Sequence, residues 1–157
     1  EKEGLNKMIL HKLVSEEFIL LNQKLNNKKN ALEFISDHFQ KEIKIEKDIV
    51  FDSLYAREKL GTTALGDGVA LPHARIDLLK NIQTLIIQLD SGIDFDAVDG
   101  KKVDIIFVLL VPNVNSDDHV KILAEIATVL DNKKIVKKIR SAKQSQEIIS
   151  ILNGTKS

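Results

Sequence analysis

The hydrophobic positions along the chain follow two spacings, one typical of helices and one typical of buried strands. Apolar residues recur every three to four positions, or follow N-cap residues, in the segments that we predict to be helices: 5–14, 28–40, 46–60, 116–130, 132–140 and 145–152. Shorter, continuous apolar runs predict strands at 18–21, 69–71, 82–89 and 103–111. Helices and strands that alternate in this way are typical of an α/β protein.

The run from Val103 to Val111 is the most apolar part of the chain. Continuous apolar residues with little alternation indicate a strand that is covered on both faces. Pro72 and Pro112 are predicted to end strands, and Gly61 is predicted to end a helix. Residues 90–92 and 99–100 predict turns. We therefore expect a single domain over residues 1–157, with a mixed β-sheet flanked by helices on both faces.

Composition narrows the classes of function. The 157 residues include 23 Lys plus Arg and 23 Asp plus Glu, so the formal net charge is zero. Because nucleic-acid and membrane surfaces attract basic proteins, we expect neither partner. The chain has no cysteine, no signal-peptide pattern and no apolar run of roughly 20 residues. These features fit a cytoplasmic protein without membrane insertion.

The segment from Arg57 to His73 combines a cation, a glycine-rich stretch and a histidine. Gly61 and Gly66 have the spacing of a nucleotide-binding P-loop, in which lysine and then serine or threonine should follow. Asp67 and Gly68 occupy those two positions. A nucleotide-binding P-loop is therefore excluded, and no dinucleotide fingerprint is present.

His73 is the candidate nucleophile. A neutral imidazole can accept a phosphoryl group on a ring nitrogen, and such a transfer needs positioning and positive charge around the phosphoryl oxygens. Arg57 can supply the charge, and backbone N–H groups around Gly66 and Gly68 can supply further donors. A histidine with a purely structural role is the alternative. A metal site formed by His73 and His119 is disfavoured because the H-E-x-x-H spacing is absent, and we expect neither a metal nor a cofactor.

These residues resemble the signature of the fructose/mannitol-type enzyme IIA domains of the bacterial phosphotransferase system. The resemblance rests on Arg57-Glu58, Thr63, Gly66, Gly68, Ala70 and Pro72-His73. Residues 95–100, 103–112, 131–133 and 137–140 resemble the nitrogen-regulatory branch of that family. Ala64 and Ala74 stand where the family commonly has glycine.

The resemblance implies a phosphocarrier that accepts phosphate on His73 from HPr or its nitrogen-branch counterpart. Arg57 would then lie beside the phosphoryl group, His119 would support His73 by hydrogen bonding, and Thr63, Gly66 and Gly68 would form a phosphate-binding loop. The output would be regulation of partner proteins. Two alternatives stay open: a sugar-specific enzyme IIA that passes phosphate to a IIB domain, and a binding module without catalysis.

Three further features have weaker interpretations. Glu58 either orients Arg57 or faces water. His11 and His38 are isolated and are interpreted as structural or solvated. A basic cluster is interpreted as a solvated helix face, with docking of an acidic partner as the alternative; it consists of Lys133, Lys134, Lys137, Lys138 and Arg140.

Overall fold

The structure, a computed structural model, describes residues 10, 12–114 and 117–154. Its α-helices are α1 (Lys28–Ile43), α2 (Lys47–Lys59), α3 (Asp117–Leu130), α4 (Lys133–Ser141) and α5 (Ser145–Asn153). Its strands are β1 (Ile19–Gln23), β2 (Ala64–Gly66), β3 (Val69–Ala70), β4 (His73–Ile76), β5 (Gln83–Ile93) and β6 (Val103–Pro112). Of the predicted N-terminal helix, Leu10, Lys12 and Leu13 are helical, and residues 1–9 and 11 lie outside the described residues.

The strands form one mixed six-stranded sheet in the order β1-β5-β6-β3-β2, and β4 also pairs with β6. β1 is parallel to β5, and β3 and β4 are parallel to β6, whereas the β5–β6 and β2–β3 pairs are antiparallel. Val69 pairs with Ile105 and His73 pairs with Leu109, so β3 and β4 keep one register against β6. Together they extend along most of β6, with a short interruption after β3.

Helices cover both faces of this sheet. Alternate residues of a strand point to opposite faces, and β6 shows this directly. Phe107 and Leu109 belong to a hydrophobic cluster with α3, α4 and α5. Val108 and Leu110 belong to a second cluster with α1 and α2. The predicted α/β fold class, with a mixed sheet between two helical layers, is therefore confirmed.

The predicted turn at residues 90–92 is wrong. β5 runs through these residues to Ile93, and its register against β6 shifts between Gln88 and Ile93. A Cβ atom at Gly92 would lie 2.8 Å from Cβ of Lys102. A side chain at position 92 would collide with Lys102, so glycine is needed here. Close approach of a neighbouring strand is a known reason for glycine inside a strand.

The strands end close to the two prolines, as predicted: β3 ends at Ala70, and Pro112 is the last residue of β6. A further strand that was not predicted, β4, begins directly after Pro72. The carbonyl oxygen of Pro72 accepts a hydrogen bond from the Leu109 N–H at 3.0 Å. Proline lacks only the donor, so its carbonyl still takes part in the pairing with β6. The hydrophobic pattern predicted neither β4 nor β2.

The remaining helices lie close to their predicted positions. Asn27 caps α1 through a hydrogen bond from the Asn30 N–H to its side-chain oxygen at 2.8 Å, and the helix continues past the predicted end at Gln40. α2 ends through Leu60 in a right-handed conformation rather than through a left-handed glycine. Within the described part of the chain, no helix is long and apolar enough to cross a bilayer.

Candidate active site

Three separate elements bring the predicted site residues together. Arg57 lies in the last turn of α2, His73 is the first residue of β4, and His119 lies in the first turn of α3. All three side chains line one cavity of about 550 Å³. The apolar part of its lining includes Leu60 and Val120, which are 85% and 63% exposed. The cavity therefore combines polar groups with an accessible apolar rim.

The topology explains this meeting of residues. β4 and β6 are parallel, so their carboxyl ends lie at the same edge of the sheet. α3 follows the carboxyl end of β6 and returns over this edge with its N-terminus near the cavity. Ligand sites of open α/β sheets commonly form at such an edge. The cavity lies at this edge, where functional groups commonly meet in this class of fold.

The His73 ring has a defined tautomer when it is neutral. Its Nδ1 atom lies 2.8 Å from the Leu71 carbonyl oxygen. A carbonyl oxygen can only accept, so Nδ1 must carry the proton and donate it. In the neutral ring, Nε2 then carries the lone pair. This backbone contact leaves Nε2 as the nucleophilic nitrogen.

The half-buried position of His73 favours its neutral form. Burial lowers the pKa of His73 below its ordinary value of 6.5, and the positive charge of Arg57 lowers it further. The hydrogen bond to Leu71 and the negative charge of Glu58 oppose this change in pKa. Near neutral pH the ring is therefore neutral and available for attack.

The rate of phosphoryl acceptance should depend on pH through this ring. As the pH falls, protonation of Nε2 removes the nucleophile, so the rate should decline with a midpoint below 6.5, the ordinary value for histidine. Single-turnover transfer rates measured from about pH 5 to pH 8 would give this midpoint. Groups of the donor protein can also make the rate depend on pH. An NMR titration of the His73 ring in this protein alone therefore serves as the control. A His73 midpoint above 6.5 in that titration would contradict the prediction.

His119 is 9% exposed, and its Nδ1 atom has no hydrogen-bond partner within residues 10, 12–114 and 117–154. A buried polar atom without a partner is costly, and such atoms often mark functional positions. His119 also lies at the start of α3, where the backbone N–H groups and the helix dipole favour an anion. These features make His119 a candidate donor to an anionic group in the cavity.

Arg57 is oriented by the chain that follows it. Its Nη1 atom donates to the Gly61 carbonyl oxygen at 2.9 Å, across the end of α2. Among the described residues, Arg57 forms no ion pair with a carboxylate. Its guanidinium group is thus fixed by one contact and keeps further N–H groups for a ligand.

Arg75 is a second cation of the cavity that the sequence analysis missed. It lies two residues after His73 in β4 and lines the same cavity. Side chains two residues apart in a strand share one face. The order His73-Ala74-Arg75 has the alternation of a strand, but the strand predicted from the apolar run ends at Pro72 and does not include these residues.

Replacing Arg75 with alanine should slow phosphoryl transfer by roughly tenfold, because one of two cations near the phosphoryl oxygens is lost. Stability should change by less than about 0.5 kcal/mol, since Arg75 is exposed. Single-turnover transfer and thermal unfolding measure the two effects. Lys80→Ala removes an exposed cation that follows Arg75 by five residues in the chain and does not line the cavity, and it serves as the matched control. Equal transfer rates for the two variants would contradict this role of Arg75.

The residues of the predicted phosphate-binding loop have other contacts in the structure. The N–H and hydroxyl groups of Thr63 donate to the Glu58 carboxylate at 2.9 and 2.7 Å. Asp67 and Gly68 form the turn between β2 and β3, with φ values of 55° and 82°. Thr63, Gly66 and Gly68 do not line the cavity that contains His73. These residues shape a hairpin and a buried hydrogen-bond network outside that cavity, so a phosphate-binding role for them stays a prediction.

Glu58, whose role the sequence left open, is 7% exposed, and its negative charge acts on His73. Besides Thr63, it binds the ammonium group of Lys28 at 3.1 Å, and Lys28 also pairs with Asp96 at 2.8 Å. Burial opposes the charge of Lys28, but hydrogen bonds to Asp96 and Glu58 raise the pKa of Lys28. Glu58 thus ties the residues after α2 to α1. Among the described residues it does not pair with Arg57, and it is buried rather than facing water, so neither alternative left open by the sequence describes it.

The two alanines that depart from the family pattern fit their positions. Ala64 lies in β2 and Ala74 lies in β4. Neither residue is among those with a positive φ value. Glycine is therefore not required at either position for the backbone path seen here.

Comparison with known proteins decides the family. The sequence model of the family described as "Phosphoenolpyruvate-dependent sugar phosphotransferase system, EIIA 2" matches residues 12–154. The chain belongs to the EIIA 2 family. Membership supports a phosphocarrier role for this EIIA 2 chain, and the resemblance stated from the sequence is confirmed.

This EIIA 2 chain is more similar in sequence to a nitrogen-regulatory relative than to a fructose-specific one. The nitrogen regulatory protein of Bradyrhizobium diazoefficiens is 43% identical over 140 residues, which cover 89% of this chain and 92% of the relative. The fructose-specific EIIA component of Haloferax volcanii is 31% identical over 137 residues, covering 87% of this chain and 89% of the relative. The crystal structure of the nitrogen regulatory protein IIA-Ntr from Neisseria meningitidis has a TM-score of 0.87 and 33% identity, covering 92% of this chain and 99% of that chain. The fold of this EIIA 2 chain therefore matches that of a solved nitrogen-regulatory protein.

Proposed function

We propose that this protein accepts a phosphoryl group on Nε2 of His73 from a phosphohistidine carrier, HPr or its nitrogen-branch equivalent. The observation that carries the proposal is the hydrogen bond from Nδ1 of His73 to the Leu71 carbonyl oxygen, at 2.8 Å. It holds the ring in one orientation and leaves Nε2 as the nucleophile. The lowered pKa of His73 keeps that nitrogen unprotonated near neutral pH.

Transfer breaks the P–N bond of the donor and forms a P–Nε2 bond on His73. The electron pair of the broken bond returns to the donor ring. The proton stays on Nδ1 and keeps its hydrogen bond to the Leu71 carbonyl oxygen, and this contact stabilises the positive charge that the His73 ring gains on phosphorylation. The backbone contact thus serves both the neutral acceptor and the phosphorylated ring.

Three side chains around His73 stabilise the phosphoryl oxygens in this proposal. Arg57 and Arg75 supply two guanidinium groups that line the same cavity. His119 supplies a ring nitrogen without another partner among the described residues. Phosphoryl transfer depends mainly on positioning and positive charge, so these groups suffice without a metal or a cofactor. The exposed side chains of Leu60 and Val120 form an apolar rim suited to docking of the carrier.

A direct assay tests phosphoryl acceptance. The protein is incubated with phosphoenolpyruvate, enzyme I and HPr, and intact-mass spectrometry follows the gain of a phosphoryl group. The adduct should be stable in base and lost in acid, as is typical of a P–N bond. No adduct with either HPr or its nitrogen-branch equivalent would overturn the proposal and favour a binding module without catalysis.

We propose a regulatory output, in which phosphorylation of His73 changes the affinity for partner proteins. The higher identity to nitrogen-regulatory relatives supports this choice over the sugar-specific alternative. Adding a purified fructose- or mannitol-type IIB protein to the phosphorylated chain distinguishes the two. Retention of phosphate on His73 would support regulation, whereas rapid loss to IIB would support sugar transport. We place this function in the cytoplasm, where phosphoenolpyruvate is available.

A further inference from the structure

A second cavity, of about 430 Å³, lies toward the opposite end of β6 from His73. Asp104, near the start of β6, lines this second cavity, whereas Leu109 and Val111 line the cavity of His73. At about 3.3 Å per residue, the two groups of β6 residues are separated by roughly 16 Å or more along the strand. None of the histidines that the structure describes lines the second cavity. It is therefore separate from the phosphoryl-transfer site.

The second cavity concentrates positive charge. Five cationic side chains line it, together with three carboxylates, although the whole chain has zero net charge. The cations are Lys101, Lys102, Lys133, Lys137 and Arg140, and the carboxylates are Asp67, Asp104 and Asp131. Three members of the basic cluster thus line the cavity together with Lys101 and Lys102, which precede β6. The sequence could not show that these two segments meet.

Arg140 is fixed in the wall of this cavity. Its Nε atom donates to both oxygens of the Asp104 carboxylate at 2.8 and 3.0 Å, and Nη2 donates to the Asp67 carbonyl oxygen at 3.0 Å. A Cβ atom at Gly68 would lie 2.8 Å from Nη2, so the missing side chain makes room for the guanidinium group. A preorganised cation loses little conformational entropy when it binds a ligand.

The lysines of the cavity are less constrained. Lys101 pairs with Asp67 at 3.2 Å, whereas Lys102, Lys133 and Lys137 form no ion pair among the described residues. Lys133 is also the first residue of α4, where the helix dipole adds positive potential. The excess positive charge is therefore available to a ligand.

We propose that this cavity binds a small anion that carries one or more phosphate groups. Its volume is within the range of small-molecule sites. Lysine ammonium groups around a fixed guanidinium group suit phosphate oxygens. The three carboxylates and the zero net charge argue against a nucleic-acid backbone as the ligand. The binding is reversible and does not depend on phosphorylation of His73.

Lys134 and Lys137 provide a matched pair of variants. Both are exposed lysines of α4, but only Lys137 lines the cavity. Inorganic pyrophosphate is the probe, and amide chemical shifts are followed by NMR at constant ionic strength. Binding should shift the amide signals of Gly68, Lys102 and Lys133 in a saturable manner. Lys137→Glu should weaken binding by roughly tenfold and Lys134→Glu by less than about twofold, because only the first change reverses a charge inside the cavity.

The titration is repeated in His73→Ala, because pyrophosphate can also enter the first cavity. Binding at Gly68, Lys102 and Lys133 should be unchanged in that variant. Equal weakening by the two lysine variants would overturn the proposal in favour of diffuse electrostatic attraction. Shifts confined to the surroundings of His73, or shifts that do not saturate, would also overturn it. These outcomes are independent of whether His73 accepts a phosphoryl group.

Discussion

Replacing His73 with alanine should abolish formation of the acid-labile phosphoryl adduct, a loss of at least about a thousandfold in the rate of acceptance. No other histidine that the structure describes combines a fixed tautomer with two neighbouring arginines. Nδ1 of His73 donates to Leu71, and Arg57 and Arg75 line the same cavity. Single-turnover transfer from phosphorylated HPr, followed by mass spectrometry, measures the loss.

His38→Ala is the control for the His73 variant. His38 lies in α1, and its Nε2 atom contacts the Glu17 carbonyl oxygen at 2.8 Å, away from the cavity that contains His73. This variant should keep the wild-type rate of acceptance. Thermal unfolding of both variants checks that each is folded. An acid-labile adduct that persists in folded His73→Ala would exclude His73 as the acceptor.

Replacing Arg57 with alanine should slow transfer by about a hundredfold or more, as is found when one preorganised charge-stabilising group is removed. Stability should fall by no more than about 1 kcal/mol, because the half-buried side chain makes one hydrogen bond, to the Gly61 carbonyl oxygen. The rate and the free energy of unfolding are measured on the same preparation. A large effect on transfer with a small effect on stability separates chemistry from folding.

Two further variants sharpen the Arg57 experiment. Lys59→Ala removes a cation two residues later in α2 that does not line the cavity, so it should leave transfer unchanged. Arg57→Lys keeps the charge but loses the planar fork of donors, and its rate should lie between those of wild type and Arg57→Ala. If Arg57→Ala lost folding and transfer to the same degree, the proposed role of Arg57 would be wrong.

Much of the fold could be predicted from the sequence. The three-to-four-residue spacing located α1 to α5, and the continuous apolar run located β6 because it is buried on both faces. β2 and β4 were missed because they are short and contain few large apolar residues. The turn predicted at residues 90–92 was wrong because Gly92 lies inside a strand, where the absence of a side chain allows close contact with Lys102.

Prediction of the site from the sequence was incomplete because strand pairing and burial decide which side chains can reach a ligand. Arg57 and His73 are near each other in the chain, so their pattern was visible. Arg75 was missed because its relation to His73 depends on β4 being a strand. Thr63 was assigned to phosphate binding, although its donors are used by the buried Glu58 carboxylate. Local sequence shows which groups are present, and burial decides which of them remain available.

The sequence by itself determined the α/β class and the helical and apolar segments through local periodicity, and the candidate residues Arg57 and His73 through residue chemistry. The resemblance to a known family added His119. Only the tertiary structure decided that the three residues share a cavity and that Nδ1 of His73 is bound by a carbonyl oxygen. It also decided that lysines from two distant segments meet around Arg140. The physical reason is that parallel pairing of β3 and β4 with β6, and packing of α3 and α4 on one sheet face, bring together groups that are far apart in the chain.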